Sequence, residues 1–203
     1  MPSERESAKA RRRSELLGAA AALFAAEGFH STTLGAVAAE AGVSAPAVYR
    51  HFDSKHELLA ELLIDVSERL LAGGLAAAAA PDPLHALCAA HARFAVSEAA
   101  IIRVQERELT SLEAAASHRV RSLQAEYVQL WVNALAPHLP GAEPAELGLR
   151  VHAALGLLNS TPHGLRRSGA VPDPEALLTQ LSLAALTAQR APLRGASGSA
   201  AVR

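Results

Sequence analysis

The sequence has few of the residues that build β-sheets or disulfides, and it has no long uninterrupted apolar run. Its 203 residues include four Phe, two Tyr, one Trp and one Cys, and alanine is the most frequent residue. Because alanine favours helices whereas aromatic and β-branched residues favour strands, this composition argues against a sandwich, a barrel or a parallel sheet. Charged residues interrupt every apolar run, so we predict no transmembrane helix. The length allows one domain or two small ones.

Several classes of protein lack support in this sequence. The charged N-terminus has no hydrophobic signal core, and the single Cys88 cannot form an intrachain disulfide. Both features are typical of a cytoplasmic protein with no membrane partner. The motifs G-x-S-x-G and H-E-x-x-H and a phosphate loop are also missing. We therefore expect neither an enzyme nor a cofactor.

The formal net charge of −1 argues against a molecule that binds nucleic acid over its whole surface. Residues 5–13 nevertheless read RESAKARRR, which places five positive charges beside one glutamate. A basic arm on a near-neutral body can make a local contact with phosphate groups. Taken alone, the segment is explained as well by a solvated helix start or a disordered tail.

Apolar residues recur at helical spacing along most of the chain, which predicts an all-helical protein of about nine helices. Gly28 ends the first predicted helix, and Ser54 with Glu57 forms a capping box before a long helix that frays at Gly73 and Gly74. A linker is predicted over 76–83 and a disordered tail from residue 192. Besides that long helix, the predicted helices cover about residues 15–29, 34–41, 45–52, 84–99, 101–113, 117–136, 144–166 and 173–190.

Two short helices joined by AGVS, residues 41–44, form the most informative pattern. A helix, a tight glycine turn and a second helix make the unit that places its second helix in the major groove of DNA. Ala38, Ala41 and Gly42 supply the small residues that this crossing needs. The second helix then offers an aromatic hydroxyl at Tyr49 and a cation at Arg50.

The stretch TTLGAVAAEAGVSAPAVYRHFDSKHELL, residues 32–59, resembles the DNA-binding domain of the TetR/AcrR family of bacterial transcriptional regulators. The upstream LGAAAALFAAEGFHSTT is similar to the family's first helix, and the resemblance covers about residues 11–63. It implies an N-terminal three-helix DNA-binding domain with a helix-turn-helix and a larger helical C-terminal domain for ligand binding and dimerisation. The predicted division is 1–56 for the first, 57–191 for the second and 192–203 for the tail.

The resemblance also implies a set of contacts with a double-stranded DNA operator. Thr33 and Tyr49 resemble phosphate contacts, and Lys55 resembles a lysine that reaches the backbone from the start of the fourth helix. Arg50 has the best chemistry for a guanine edge, with phosphate or solvent as alternatives. We assign Phe52 to the core and Tyr49 to DNA. The predicted DNA-binding residues are Lys9, Arg11, Arg12, Arg13, Thr32, Thr33, Ser44, Ala45, Pro46, Ala47, Tyr49, Arg50, His51 and Lys55.

Large rings are scarce after residue 52, and two of the three lie four residues apart on one helix face. An aromatic wall with a few polar groups is typical of a small-molecule pocket, although core packing explains each residue singly as well. A loose similarity of residues 100–135 to regulators of fatty-acid metabolism suggests an acyl-CoA or another hydrophobic effector. The predicted ligand residues are His91, Phe94, Arg103, Arg107, Tyr127, Trp131, His152 and Asn159.

The last two long helices carry leucine stripes that fit either a homodimer interface or the core of one subunit. One stripe is Leu147, Val151, Leu155 and Leu158; the other includes Leu177, Leu181, Ala184 and Leu186. The motif H-x-x-C-x-x-H at residues 85–91 spreads its outer histidines by about 120° around a helix, so we expect no metal site.

These observations predict a dimeric regulator that represses transcription from a palindromic operator and is released by a small molecule. A ligand-independent activator or architectural DNA-binding protein is the alternative.

Overall fold

The computed structural model describes residues 3–164 and 171–189, and within these ranges it is all-helical with no strand. The predicted fold class is confirmed. The predicted disordered tail from residue 192 lies outside the described residues. The α-helices are α1 (Glu4–Glu27), α2 (Leu34–Glu40), α3 (Ala45–Tyr49), α4 (Lys55–Ala78), α5 (Pro83–Ser97), α6 (Ala99–Glu108), α7 (Ala114–Leu135), α8 (Pro144–Asn159), the single turn α9 (Thr161–Gly164) and α10 (Pro174–Thr187).

Two apolar cores organise these helices. The first core is formed by the four helices from α1 through α4, together with three residues of α6 and α7. Phe24, Phe29 and Phe52 are almost fully buried in it, so Phe52 is a core residue as predicted. The second core joins α5, α7, α8 and α10 around the buried Trp131. The predicted boundary after residue 56 falls within the first turn of α4, a helix that packs into both cores.

The first helix begins eleven residues earlier than the apolar pattern indicated. Ser3 caps it, since its hydroxyl accepts from the Glu6 backbone N–H while the Glu6 carboxylate accepts from the Ser3 backbone N–H at 2.7 Å. Residues 4–14 carry no apolar periodicity, so the apolar pattern alone did not indicate this start. The basic segment is therefore part of α1 and not a separate arm.

The prediction that α4 frays at Gly73 and Gly74 is wrong, because the helix continues to Ala78. Gly74 is buried where α4 crosses α7, and a Cβ atom there would lie 2.6 Å from Cε2 of Tyr127. Gly73 faces open space, and a Cβ atom there would have no atom of another helix within 4 Å. The glycine pair thus permits a close helix crossing instead of ending a helix, and the linker shrinks to residues 79–82.

The leucine stripe predicted on α8 packs within the subunit. Leu147, Val151 and Leu158 are buried in the second core, which settles the choice between core and interface for these residues. The stripe predicted on α10 is divided, since Leu186 is buried whereas Leu177 and Leu181 are 44% and 47% exposed. Leu149 on α8, outside the predicted stripe, is 71% exposed.

In the part of the chain that the structure describes, no helix is both long and apolar enough to cross a membrane.

The glycine pair in α4 provides a matched test of the helix crossing. We expect Gly74→Ala to lower the free energy of unfolding by about 1–3 kcal/mol, because the new methyl group overpacks against the buried Tyr127 ring. Gly73→Ala should raise it by about 0.5–1 kcal/mol, because alanine is the better helix former and the site has room. Urea unfolding of both variants measures the difference, and equal effects would refute this view of the crossing.

Candidate DNA interface and small-molecule cavity

The turn between α2 and α3 has the geometry of a helix-turn-helix. Gly42 has a φ of 65°, a left-handed conformation that glycine adopts without strain. The Val43 backbone N–H donates to the Ala38 carbonyl at 2.9 Å and closes the end of α2. Val37, Ala38 and Val48 are buried between the two helices and the first core. The two short helices therefore form one rigid unit.

The outer face of α3 is open to solvent. Ser44, Ala45 and Pro46 are exposed at its start, and the Ser44 hydroxyl makes no capping hydrogen bond. Tyr49 is 58% exposed, whereas the other tyrosine, Tyr127, is buried. A phenol ring held out in solvent beside a free hydroxyl suits a surface that meets a polar partner. Arg50 is exposed next to it, and Ala47 is half-buried.

Positive charge from α1 reaches the same side of the molecule. His51 is half-buried, and its Nδ1 is buried without a hydrogen-bond partner. Burial lowers the pKa of His51, and the nearby positive charges of Arg13, Lys9, Arg50 and Arg12 lower it further. The N-terminal half of α1 and the end of α3 thus share one positive field. Lys9 and Arg11 are exposed, and Arg12 pairs with Glu15 at 2.6 Å.

Arg13 differs from its basic neighbours because it contacts residues outside α1. Its guanidinium pairs with Glu61 on α4, with Nε 2.8 Å from Oε2, and Nη1 donates to the His51 carbonyl at 3.2 Å. The same group lies over the Phe52 ring, 4.7 Å from its centroid. Arg13 therefore joins α1, α4 and the end of α3, and its guanidinium donors are used within the protein.

Lys55 and Thr32 also have internal partners. The Lys55 ammonium donates to the carbonyls of Phe29, His30 and Thr32 at 2.7, 3.0 and 2.9 Å, so all three of its hydrogens are in use. Thr32 is 1% exposed, and its hydroxyl donates to the Gly28 carbonyl at 2.9 Å. These two residues hold the loop before α2, and all of their side-chain donors are used within the protein. Thr33 is exposed and caps α2 through the Ala36 N–H at 3.1 Å.

A cavity of about 300 Å³ lies among helices α4 to α8. Five of the eight residues predicted to contact a ligand line it: His91, Phe94, Tyr127, His152 and Asn159.

The other three predicted ligand residues lie elsewhere. Trp131 is fully buried behind the cavity wall, with its ring centroid 5.9 Å from that of His91 and 6.1 Å from that of Tyr127. Arg107 is exposed, and Arg103 is half-buried; neither lines the cavity. Gln105 and Gln124 line it but were missed, because a glutamine on an amphipathic helix carries no sequence signal that separates cavity from surface.

A chain of hydrogen bonds crosses one wall of this cavity. Nδ1 of His91 lies 3.0 Å from the Tyr127 hydroxyl, and Nε2 lies 3.0 Å from Oδ1 of Asn159. Burial lowers the pKa of His91 to about 4 and raises the pKa of Tyr127. His91 is therefore neutral, with Nε2–H donating to Asn159 and Nδ1 accepting from the Tyr127 hydroxyl.

Cys88 does not extend this chemistry. It is buried, and burial raises the pKa of its thiol to about 11, so it is neither a ready nucleophile nor a ready metal ligand. Among the described residues, no group of three or more His, Cys, Asp or Glu side chains is arranged to hold a metal ion.

The neutral His91 predicts a loss of stability in mild acid. Its pKa is about 4 in the fold and about 6.5 in the unfolded chain, so between these values only the unfolded chain takes up the proton. This contribution is fully present above pH 6.5 and is lost as the pH falls towards 4, by about 3 kcal/mol. Urea unfolding across this range should show a shallower decline for His91→Gln than for the wild type. Parallel curves would show that His91 does not titrate as described.

Comparison with known proteins shows which family the helices of the first core are similar to. The family model for the bacterial regulatory proteins of the tetR family matches residues 16–62. A transcriptional repressor of the helix-turn-helix type, KstR2 of Rhodococcus jostii (strain RHA1), is 44% identical over 62 residues. That alignment covers 30% of this chain and 30% of KstR2, so the curated relative is matched over less than a third of its length.

Solved structures extend the likeness of fold to most of the chain. The TetR-family transcriptional regulator PfmR from Thermus thermophilus superposes with a TM-score of 0.74 at 23% identity, over 86% of this chain and 99% of PfmR. The regulator FadR from Bacillus subtilis, solved with stearoyl-CoA, gives 0.70 at 13% identity, over 87% and 99%. Residues 16–62 therefore match the DNA-binding segment of the tetR family of bacterial regulatory proteins, and most of the chain shares the fold of the solved regulators.

Proposed function

We propose that this protein is a dimeric transcriptional repressor that binds a palindromic operator and leaves it when a small molecule fills the cavity. The observation that carries the proposal is the solvent-open face of α3, where Ser44, Tyr49 and Arg50 stand beside the positive field of α1. A ligand-independent activator would need the same face, but it would have no use for a cavity lined by a buried hydrogen-bond chain.

The geometry refines which residues we propose to meet DNA. Arg50 offers a bidentate donor for a guanine edge or a phosphate, and the Tyr49 hydroxyl offers one bond to phosphate. Arg13, Thr32 and Lys55 act on DNA indirectly, because they fix the relative positions of α1, α3 and the loop before α2. The proposed direct contacts are Lys9, Arg11, Arg12, Thr33, Ser44, Ala45, Pro46, Ala47, Tyr49, Arg50 and His51.

Arg50→Ala tests the reading face. We expect its affinity for a duplex from the protein's own promoter to fall about 5- to 150-fold, the usual effect of losing a base contact by arginine. Fluorescence anisotropy at low and moderate salt measures this, with Arg121→Ala as the matched control. Arg121 is an exposed arginine on α7, away from the helix-turn-helix. If Arg50→Ala binds like wild type, or if both variants lose affinity equally, α3 is not the reading helix.

A homodimer is proposed because two reading heads must occupy successive major grooves of the operator. Leu149, Leu177 and Leu181 give α8 and α10 an exposed apolar face outside the second core. Two such helices from each subunit form a four-helix bundle when related by a two-fold axis.

Leu181→Arg tests this interface. A charge at the centre of a buried apolar face lacks a partner, so we expect the variant to be monomeric while keeping its helix content. Leu75→Arg is the matched control, since Leu75 is 54% exposed on α4 and lies outside this face. Light scattering after gel filtration gives both masses. A Leu181→Arg dimer, or a Leu75→Arg monomer, would place the interface elsewhere.

We propose that α6 couples the cavity to the DNA-binding domain. Gln105 on α6 lines the cavity, and Glu108 ends the same helix one turn later. The Glu108 carboxylate is buried, accepts from the Ser111 hydroxyl at 3.1 Å and lies 3.5 Å from the Phe29 backbone nitrogen. A ligand that shifts α6 therefore acts on the loop that α1 and Lys55 hold in place. Coupling of about 1–3 kcal/mol is typical of such systems.

A further inference from the structure

No aspartate, glutamate, lysine or arginine lines the cavity wall among the described residues. Thirteen residues from α4 to α8 line it, and none of them is Asp, Glu, Lys or Arg. Its apolar part includes Leu70, Leu123 and Val128. Its polar part consists of hydroxyl groups, imidazole groups and amides such as those of Gln105 and Asn159. A molecule in this cavity therefore meets dipoles, methyl groups and imidazoles, but no carboxylate, ammonium or guanidinium group.

His91 does not supply a charge either. It is 3% exposed, and its two nitrogens are occupied by Tyr127 and Asn159. Burial holds its pKa at about 4, so the imidazole is neutral at physiological pH. Protonating it would require Tyr127 to stop donating to Nδ1, with no carboxylate lining the cavity to balance the new charge.

A smaller cavity of about 130 Å³ beside it shares Leu70, Phe94 and Tyr127 and includes Arg69. That guanidinium is already paired with Asp65 at 2.9 Å and Glu98 at 3.2 Å. An anion in the main cavity would thus lose its hydration without gaining a free cation. Moving an unpaired ion out of water costs several kcal/mol, which is enough to exclude ionised ligands.

The hydrogen-bond chain leaves two sites for a ligand oxygen. Because Oδ1 of Asn159 accepts from His91, its amide hydrogens remain as donors. Because the Tyr127 hydroxyl donates to His91, its oxygen remains as an acceptor. A hydroxyl group can satisfy both sites, and a carbonyl oxygen can satisfy the first. The volume of about 300 Å³ is at the lower end of small-molecule pockets.

We infer that the effector is an uncharged, largely apolar molecule with one hydroxyl or carbonyl group, bound with its oxygen at Asn159 and Tyr127. The inference deepens the proposed function and rests on it. It argues against the ionised head of a fatty acid, and against an acyl-CoA whose charged part would enter the cavity.

Three ten-carbon molecules test the inference: 1-decanol, decanoate and decylamine, which share a chain and differ in charge. The single tryptophan, Trp131, lies behind the cavity wall and reports binding to the full-length protein by its emission. At about pH 7, where both ions are charged, we expect 1-decanol to bind at least about tenfold more tightly than either ion. The inference is overturned if an ion binds as tightly as the alcohol, or if the alcohol does not bind.

A matched pair of variants on α7 tests the reason for this preference. Gln124 lines the cavity, whereas Gln129 is exposed on the same helix and does not. We expect Gln124→Arg to shift the ratio of decanoate to 1-decanol affinity about tenfold towards decanoate, and Gln129→Arg to leave it unchanged. An unchanged ratio in a folded Gln124→Arg variant contradicts the inference. If that variant does not fold, the wild-type comparison of the three molecules decides.

Promoter binding by the same wild-type preparation separates the two proposals. A protein that binds its promoter but prefers decanoate retains the proposed function and loses the inference. A protein that prefers 1-decanol but never retards DNA loses the proposed function instead.

Discussion

The structure depends on α4, one continuous helix of 24 residues that belongs to both apolar cores. Its first half buries Leu58, Leu62 and Val66 against the DNA-binding helices. Its second half crosses α7 at Gly74, where there is no room for a side chain beside Tyr127. Tyr127 in turn lines the cavity and donates to His91. The same helix thus reaches from the first core, the proposed reading head, to the cavity.

Close packing along α4 gives this arrangement a functional consequence. Because packed cores do not deform continuously, a ligand that displaces the Tyr127 ring must move α4 or α7 as a body. In the proposed function, the Arg13–Glu61 pair and the Lys55 ammonium are a second path beside α6, which carries a movement of α4 to α1 and to the loop before α2. Both cations, which resemble DNA contacts in the sequence, bind groups within the protein in this structure.

Most of the fold was predictable from local rules. Glycine turns, N-caps and apolar periodicity located α2, α3 and α5 within a few residues, since these signals depend on the chain immediately around them. The start of α1 was missed because its first three turns are solvated and carry no apolar stripe. Gly74 was misread because its reason is a ring on α7, more than fifty residues away. Local sequence contains no information about such a crossing.

The candidate sites likewise contain some residues whose placement local sequence predicts and others whose placement depends on packing. Tyr49 and Phe52 were correctly separated into surface and core, because they lie on opposite sides of a recognisable helix-turn-helix. The internal hydrogen bonds of Thr32 and Lys55 were not predicted, because their partners are backbone carbonyls that the sequence does not display. In the second core, rings and histidines indicated the cavity. Its glutamines, and the exclusion of Arg103 and Arg107, depend on helix rotations that only packing determines.

The most direct test of the account is a selection of binding sites from random duplex DNA by the full-length protein. A dimer that reads DNA through α3 should enrich an inverted repeat whose half-sites are centred about one helical turn apart, about 34 Å along the axis. Such a repeat is the predicted result. A pool with no enriched sequence, or a single half-site without its mirrored partner, would contradict the account.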